Sequence, residues 1–527
     1  MNRTTALLIR LRNPVVLLAL ALALLAVIAR LLPGARTIDD AFITFRYSRN
    51  LVEGLGFVYN ANLATLGTTT PLFTLLMAAI SLLTGVQDFP QYAIVVSALA
   101  DACTTILLYL IARRATQHDL YSALPALLWA LSPRSVTFAV GGMETSVNIL
   151  WMAAAVWFYV SAAPDALRPR ILIGVCVALG FLTRIDSLLW SGPLLLAQVI
   201  DTWRARMNHP PLRRLPWATW LSAGLLLAPW LLFAWGYFGS PVPNSVNAKT
   251  LAYQMPAGSA LITLIQAYAT PFFEYDTFGT LVIGIGALAY LLLGLLAIAY
   301  VARHLPRLLP FLIYPWLYLI VFAVANPLIF RWYLAPPLPA LMLAIFLGVW
   351  SLLSRRDAPP RRVAPAVIGL LALLWVFTSL NAWTLHPDHG PDRPAPKMAW
   401  HQIELYYQDI ATQLVNEYGV TPQTRVASGD IGAVGYFSRA TIIDTVGLVT
   451  PAMRAYYPIS SDLIPSGQNY AIPPQLVLDT QPDYLVTMEA FVRLGLEQTP
   501  AFQSAYTLVR EIPTDFYGTG MRLYQRR

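Results

Sequence analysis

The stretch Thr37-Ile-Asp39-Asp40-Ala-Phe-Ile-Thr-Phe-Arg46-Tyr-Ser-Arg49-Asn50-Leu-Val-Glu53-Gly54 sets two adjacent carboxylates a few residues beyond an apolar run, 14–32. If that run crosses a bilayer, the acidic pair lies at a membrane surface. Asp39 or Asp40 is expected to N-cap the following helix, because a short carboxylate accepts from the first free N–H groups. Phe42, Phe45, Arg46 and Arg49 recur at helical spacing, which predicts an amphipathic helix in the interface. Adjacent acids there can also supply a general base or bind a divalent cation through oxygen.

Composition makes the rest of the chain membrane-like. Of 527 residues, 57% are hydrophobic and 12% charged, and the mean hydropathy is +0.57. No soluble domain hides that much apolar surface. The net charge of +8 is not a nucleic-acid footprint, because the arginines gather in short loops between apolar runs. Cys103 and Cys176 both fall in apolar runs, so neither a disulfide framework nor a metal cluster is suggested. Arg3, Arg10 and Arg12 precede the first run, whose length predicts an uncleaved signal anchor.

Charge fixes an expected topology. The run 92–112 ends in Arg113-Arg114 and is read as the second crossing, ending in the cytoplasm. The shorter run 71–84 lacks flanking arginines and is read as re-entrant or surface-lying. Segments 120–131, 171–182, 217–237, 308–325 and 363–380 then exit. Segments 146–161, 187–200, 280–302 and 334–353 return to arginine-bearing loops. The expectation is a mainly α polytopic protein of about eleven spans, with every multi-arginine loop cytoplasmic. Residues 1–382 form its membrane domain and 37–91 its first external loop. A long external loop is expected over 239–278. Residues 383–527 read as a soluble extracytoplasmic α/β domain, with a helix over 404–417 and strands at 425–428, 441–444, 484–488 and 506–512.

In this topology the unusual polar residues of the membrane half collect on the outer side: Asp39, Asp40, Arg46, Glu144, Arg184, Asp186, Asn244, Lys249, Arg331 and Tyr333. Ionisable groups near bilayer depth are costly and usually functional, although those at span ends can simply snorkel. Carboxylates with cationic partners at a bilayer surface suit a lipid-phosphate substrate, with Arg or Lys on the phosphate and an Asp taking a proton. Gly-rich nucleotide loops, HExxH and GxSxG are all missing from the sequence. The rival reading is a transporter or lipid flippase, against which stand the lack of an internal repeat and the one-sided charge.

The segments DDAFITFRYSRNLVEGLGFVYN (39–60), GTTTPLFTLL (67–76), GGMETS (141–146), LTRID (182–186) and PVPNSVNAKT (241–250) resemble the GT-C class of membrane glycosyltransferases. The similarity is greatest to the branch of terminal β-1,2-arabinofuranosyltransferases. The C-terminal run VASGDIGAVGYFSRATIIDTVGLVTP (426–451) resembles the soluble domain of that branch. The chain departs from family habit at Ile185, where relatives carry proline, and over 63–67, which lacks their Glu.

The resemblance implies transfer of a sugar from a polyprenyl-phosphate donor to a cell-envelope glycan or glycolipid, outside the plasma membrane, by inverting displacement. The sugar it points to is arabinofuranose. It implies a catalytic aspartate at Asp39 or Asp40 and a second acid at Glu144. Lys249 and Arg331 would hold the donor phosphate, with Arg184 and Arg46 behind them. A divalent cation (Mg, Mn or Ca) on Asp39, Asp40 and Glu144 is compatible with these carboxylates but not required by them, and a protein hydroxyl is the alternative acceptor.

Overall fold

The structure, a computed structural model, describes residues 13–208, 210, 214–272, 279–354, 369, 399–514 and 516–527. The last expected crossing, 363–380, and the boundary at 382 lie outside these residues.

The first helix, α1 (Pro14–Leu31), starts with Asn13 accepting the Val15 N–H at 3.0 Å and with proline in its first turn, where a missing N–H costs nothing. Its one charge, Arg30, is buried. The guanidinium bonds Asp101 Oδ2 at 2.8 Å, Ser135 Oγ at 3.1 Å and the carbonyls of Trp129 and Ala130. A charge can stay buried only when it is saturated in this way. Asp101 lies in α4 (Phe89–Thr116), after α2 (Asp39–Val52) and α3 (Pro71–Thr84). The carbonyls close α5 (Asp119–Leu131), which Ser132-Pro133 breaks by 46° from α6 (Pro133–Val140). A residue before proline leaves the helical region, which accounts for the break.

The helices α7 (Thr145–Ser161), α8 (Leu167–Thr183), α9 (Leu188–Ala205), α10 (Trp217–Phe238), α13 (Thr280–His304), α14 (Leu309–Ala325) and α15 (Leu338–Leu353) complete the apolar set. Five helices among the described residues are long and apolar enough to cross a membrane, six with the bent pair. The protein is therefore a membrane protein, but about eleven full crossings are not reached on those criteria. The helix α3 has 14 residues, about 21 Å of rise, and is too short to span.

The expected loop 239–278 is instead built on α11 (Asn244–Ala252) and α12 (Ser259–Ala269). The first is polar in sequence, and the second, though apolar, has only 11 residues. Pro336-Pro337 likewise delays α15 beyond its expected start at 334.

The C-terminal domain opens with α16 (Ala399–Asn416). Its sheet comprises β1 (Arg425–Ser428), β2 (Thr441–Asp444), β3 (Tyr484–Met488), β4 (Tyr506–Pro513) and β5 (Gly520–Arg526), in the order β2-β1-β3-β5-β4. The strands β1, β2 and β3 are parallel; β5 and β4 are antiparallel additions. The four expected strands are present. The fifth, Gly-Met-Arg-Leu-Tyr-Gln-Arg, is masked in sequence by its charged residues. A short helix, α17 (Gly432–Ser438), crosses from β1 to β2.

The largest correction concerns α2. Asp39 and Asp40 occupy its first turn and Ile38 is the N-cap, with no side-chain cap bond. Residues 41–50 are all buried, so this is no interfacial helix. The C-terminal domain covers the face that the sequence reads as polar. Arg46 donates to the carbonyls of Tyr59 (2.9 Å), Gly435 (2.7 Å) and Ala440 (2.7 Å). Arg49 donates to the Tyr436 carbonyl at 2.6 Å.

Candidate active site

The carboxyl ends of parallel strands are where open α/β sheets place ligands, and here that edge is turned onto the start of α2. Asp430 stands two residues beyond β1, and Asp444 ends β2. Asp444 accepts N–H groups from Val446 (2.9 Å), Gly447 (3.0 Å) and Val449 (2.8 Å), shaping a turn. The Gly447 and Leu448 carbonyls of that turn then accept from Asn244 Nδ2 at 2.6 and 2.7 Å. The Nδ2 of Asn244 is therefore spent on clamping the two halves together. Arg46 is likewise spent on four protein acceptors including Asn60 Oδ1.

Two cavities meet at Asp40. The larger, about 540 Å³, lies against the membrane half and is lined by Asp40, Thr68–Thr70, Glu144, Arg184, Lys249 and Tyr333. The smaller, about 260 Å³, opens toward the C-terminal domain. Asp39, Asp40, Asp430, Gln468, Asn469 and the rings of Tyr253, Tyr470, Phe491 and Tyr517 line it. Tyr253, Phe330 and Trp332 border both. Arg331 is buried and lines neither cavity, contrary to the expectation that it meets a phosphate there.

Lys249 Nζ stands 3.5 Å from Asp40 Oδ2 and 4.4 Å from the Phe330 ring centre. Burial works against the ammonium, but Asp40 and then Tyr333 outweigh it and hold the pKa above the usual lysine value. Arg184 is engaged differently. It donates to Glu144 Oε1 at 2.9 Å and to both oxygens of Asp186, with its flat face 5.0 Å from the Tyr333 ring centre. Burial raises the Glu144 pKa while Arg184 pulls it back.

Asp430 is the functional candidate that sequence reasoning missed. Its signal was visible: it is the only acid in the Gly-rich turn after a strand, 428–435. Burial pushes its pKa up to about 6. Tyr407, whose hydroxyl donates to it at 2.9 Å, opposes that shift, and Asp40 adds to it. Burial and then Asp430 raise Asp39, against two backbone N–H bonds. Among the described residues, no three His, Cys, Asp or Glu side chains are grouped to hold a metal ion. Asp39, Asp40 and Glu144 are therefore not grouped as a three-carboxylate set.

The solved structures decide the fold. ArnT from Cupriavidus metallidurans, in a structure titled as bound to undecaprenyl phosphate, superposes with a TM-score of 0.56 over 97% of each chain at 15% identity. The Archaeoglobus fulgidus oligosaccharyltransferase superposes at 0.54 over 98% of this chain and 75% of its own, at 13% identity. The fold is that of the GT-C class. The resemblance drawn from the sequence is borne out at that level. Residues 68–233 match the family model for dolichyl-phosphate-mannose-protein mannosyltransferase, and 397–525 match a domain of unknown function (DUF8728). The terminal β-(1→2)-arabinofuranosyltransferase of Mycobacterium tuberculosis is 25% identical over 228 residues, 41% of this chain and 35% of that relative's length.

Proposed function

We propose that the chain is a membrane glycosyltransferase that moves a sugar from a polyprenyl-phosphate donor to a hydroxyl of an envelope glycan or glycolipid. The observation that carries this reading is the meeting of two cavities at one carboxylate, with a lysine facing it. The larger cavity would take the donor's sugar phosphate, and the smaller would take the acceptor. Asp40 removes the acceptor hydroxyl's proton as its oxygen bonds to the anomeric carbon. The bond from that carbon to the phosphate oxygen breaks, and Lys249 meets the charge left on the phosphate. One displacement inverts the anomeric carbon. These steps use the chain's own residues and name no divalent cation.

The site face is read as extracytoplasmic. Support comes from the opposite end of the bundle, where the basic helix ends gather. The Tyr300 hydroxyl of α13 bonds the Ala115 carbonyl beside Arg113-Arg114 at 3.0 Å, and Arg307 pairs with Asp201 of α9 at 2.8 Å. The positive-inside rule puts such an end in the cytoplasm. The test is transfer of labelled sugar from a panel of polyprenyl-phosphate sugars, arabinofuranose first, to an envelope glycan fraction and to a protein fraction. Transfer to glycan that Asp40→Asn abolishes is the expected result. Transfer to protein alone would move the acceptor class. Wild type silent with every donor would sink the reading, and labelled-solute flux in vesicles would then favour a transporter.

A further inference from the structure

The acidic pair that opens α2 is divided by the fold. Asp39 Oδ2 accepts the Gly432 N–H at 2.8 Å and its Oδ1 accepts the Ala433 N–H at 2.7 Å. Both oxygens are thereby committed to backbone donors of the C-terminal domain, as bonds that favour the charged carboxylate. The approach is so close that a Cβ on Gly432 would lie 1.7 Å from the Asp39 carbonyl oxygen. Only glycine fits there. Asp40, one residue on and so about 100° around the helix, is turned to the larger cavity and Lys249.

The opposite end of α17 is held by the same helix. Seven residues beyond Asp39, two turns along one face, Arg46 donates to the Gly435 carbonyl, and Arg49 donates to that of Tyr436. The short helix thus has a carboxyl group at its unpaired N–H groups and two guanidinium groups at its unpaired carbonyls. All three side chains come from α2.

We propose that Asp39 is a positioning residue that seats the C-terminal domain on α2 and sets the helix rotation that aims Asp40. It is not a second base. This rests on the reading of Asp40 as the base, and it makes the C-terminal domain part of the catalytic unit: α17 locks the helix that carries the proton acceptor.

The test uses the full chain in detergent micelles and two readouts. The first is amide hydrogen exchange of a peptide covering residues 430–438, followed by mass spectrometry. Asp39→Asn is expected to speed exchange there about tenfold, the size of losing a hydrogen bond to a charged group, and Gly432→Ala is expected to do the same. Asp40→Asn should leave exchange as in wild type. The second readout is labelled-sugar transfer across pH. Asp39→Asn should retain transfer at about a tenth to a hundredth of the wild-type kcat, with the acid limb of its pH profile still present because Asp40 remains. Asp40→Asn should lose both the activity and that limb. If Asp39→Asn abolishes transfer while its amides stay protected, Asp39 is the base and the proposal falls. If wild type is silent with every donor, the transferase reading fails, and the exchange measurement still decides whether Asp39 seats the domain.

Discussion

Two ion-pair systems on the wall of one cavity set a basic side chain against carboxylates to opposite ends. Around Arg184 every contact is short, at 2.8 to 2.9 Å for its closest bond to each carboxylate, and its side chain is only 8% exposed. Around Lys249 there is one contact of 3.5 Å, and lysine and aspartate are still 25% and 29% exposed. A tight pair holds its geometry and gives up its bonds to a ligand only at a cost. A loose pair in a cavity can part and bind one, with the cation taking a phosphate and the carboxylate a proton. The difference marks Lys249 and Asp40 as the pair free to part, with Glu144 and Arg184 as a firmly held wall of the same cavity.

The sharpest way to break the contrast is Asp40→Asn, which keeps size and removes the base. Transfer should fall by about 10²- to 10⁴-fold with thermal unfolding unchanged. Retained turnover would dissolve the distinction. Arg184→Met does the reverse. It leaves Glu144 and Asp186 without their cation, and breaking a buried pair costs about 3–5 kcal/mol. It should therefore lower the unfolding temperature in detergent while the folded fraction keeps much of its turnover. An Arg184→Met protein of wild-type stability that no longer turned over would place Arg184 in the site. Next in size, Lys249→Met should lower kcat by about 10²- to 10³-fold, the scale of one preorganised electrostatic donor, and stability far less, since a half-solvated pair contributes little.

How much of this was legible varied with the kind of signal. Helices with long apolar runs, and short strands bounded by turn residues such as Tyr484–Met488, were readable from local pattern. The acidic pair, Glu144, Lys249 and Tyr333 were readable as cavity residues, because polar groups at span ends stand out against an apolar chain. What the sequence could not show was who pairs with whom. Arg46 is 389 residues from Gly435, and Asp39 is 393 from Gly432. The domain that buries α2 is invisible to a helical wheel of residues 39–52, so a sealed helix read as an interfacial one. The helix α11 was missed because its sequence is polar, and α12 because its apolar run is only 11 residues long. Asp430 was missed because a single acid in a turn acquires meaning only when two domains close on it.

Asp430 also supplies the smallest test of the contrast, and the one with the least expected sign. Its folded-state pKa of about 6 lies above the value near 3.9 of an unfolded aspartate. Between those values the native chain holds more protons than the unfolded chain. Stability therefore falls as pH rises from about 4 to about 6, and the penalty is fully present at pH 7. The two regions then respond in opposite directions to losing a charge: Arg184→Met destabilises, whereas Asp430→Asn should stabilise. At pH 7 the gain should be about 1–2 kcal/mol after allowance for solvent screening, read as a higher unfolding temperature, with the pH 5 to 7 slope flattened relative to wild type. Asn can still accept the Tyr407 hydroxyl, so the change tests charge and not a lost bond. A variant less stable than wild type at pH 7 would mean that Lys249 already neutralises Asp430, and the looser cluster would then be as saturated as the tighter one.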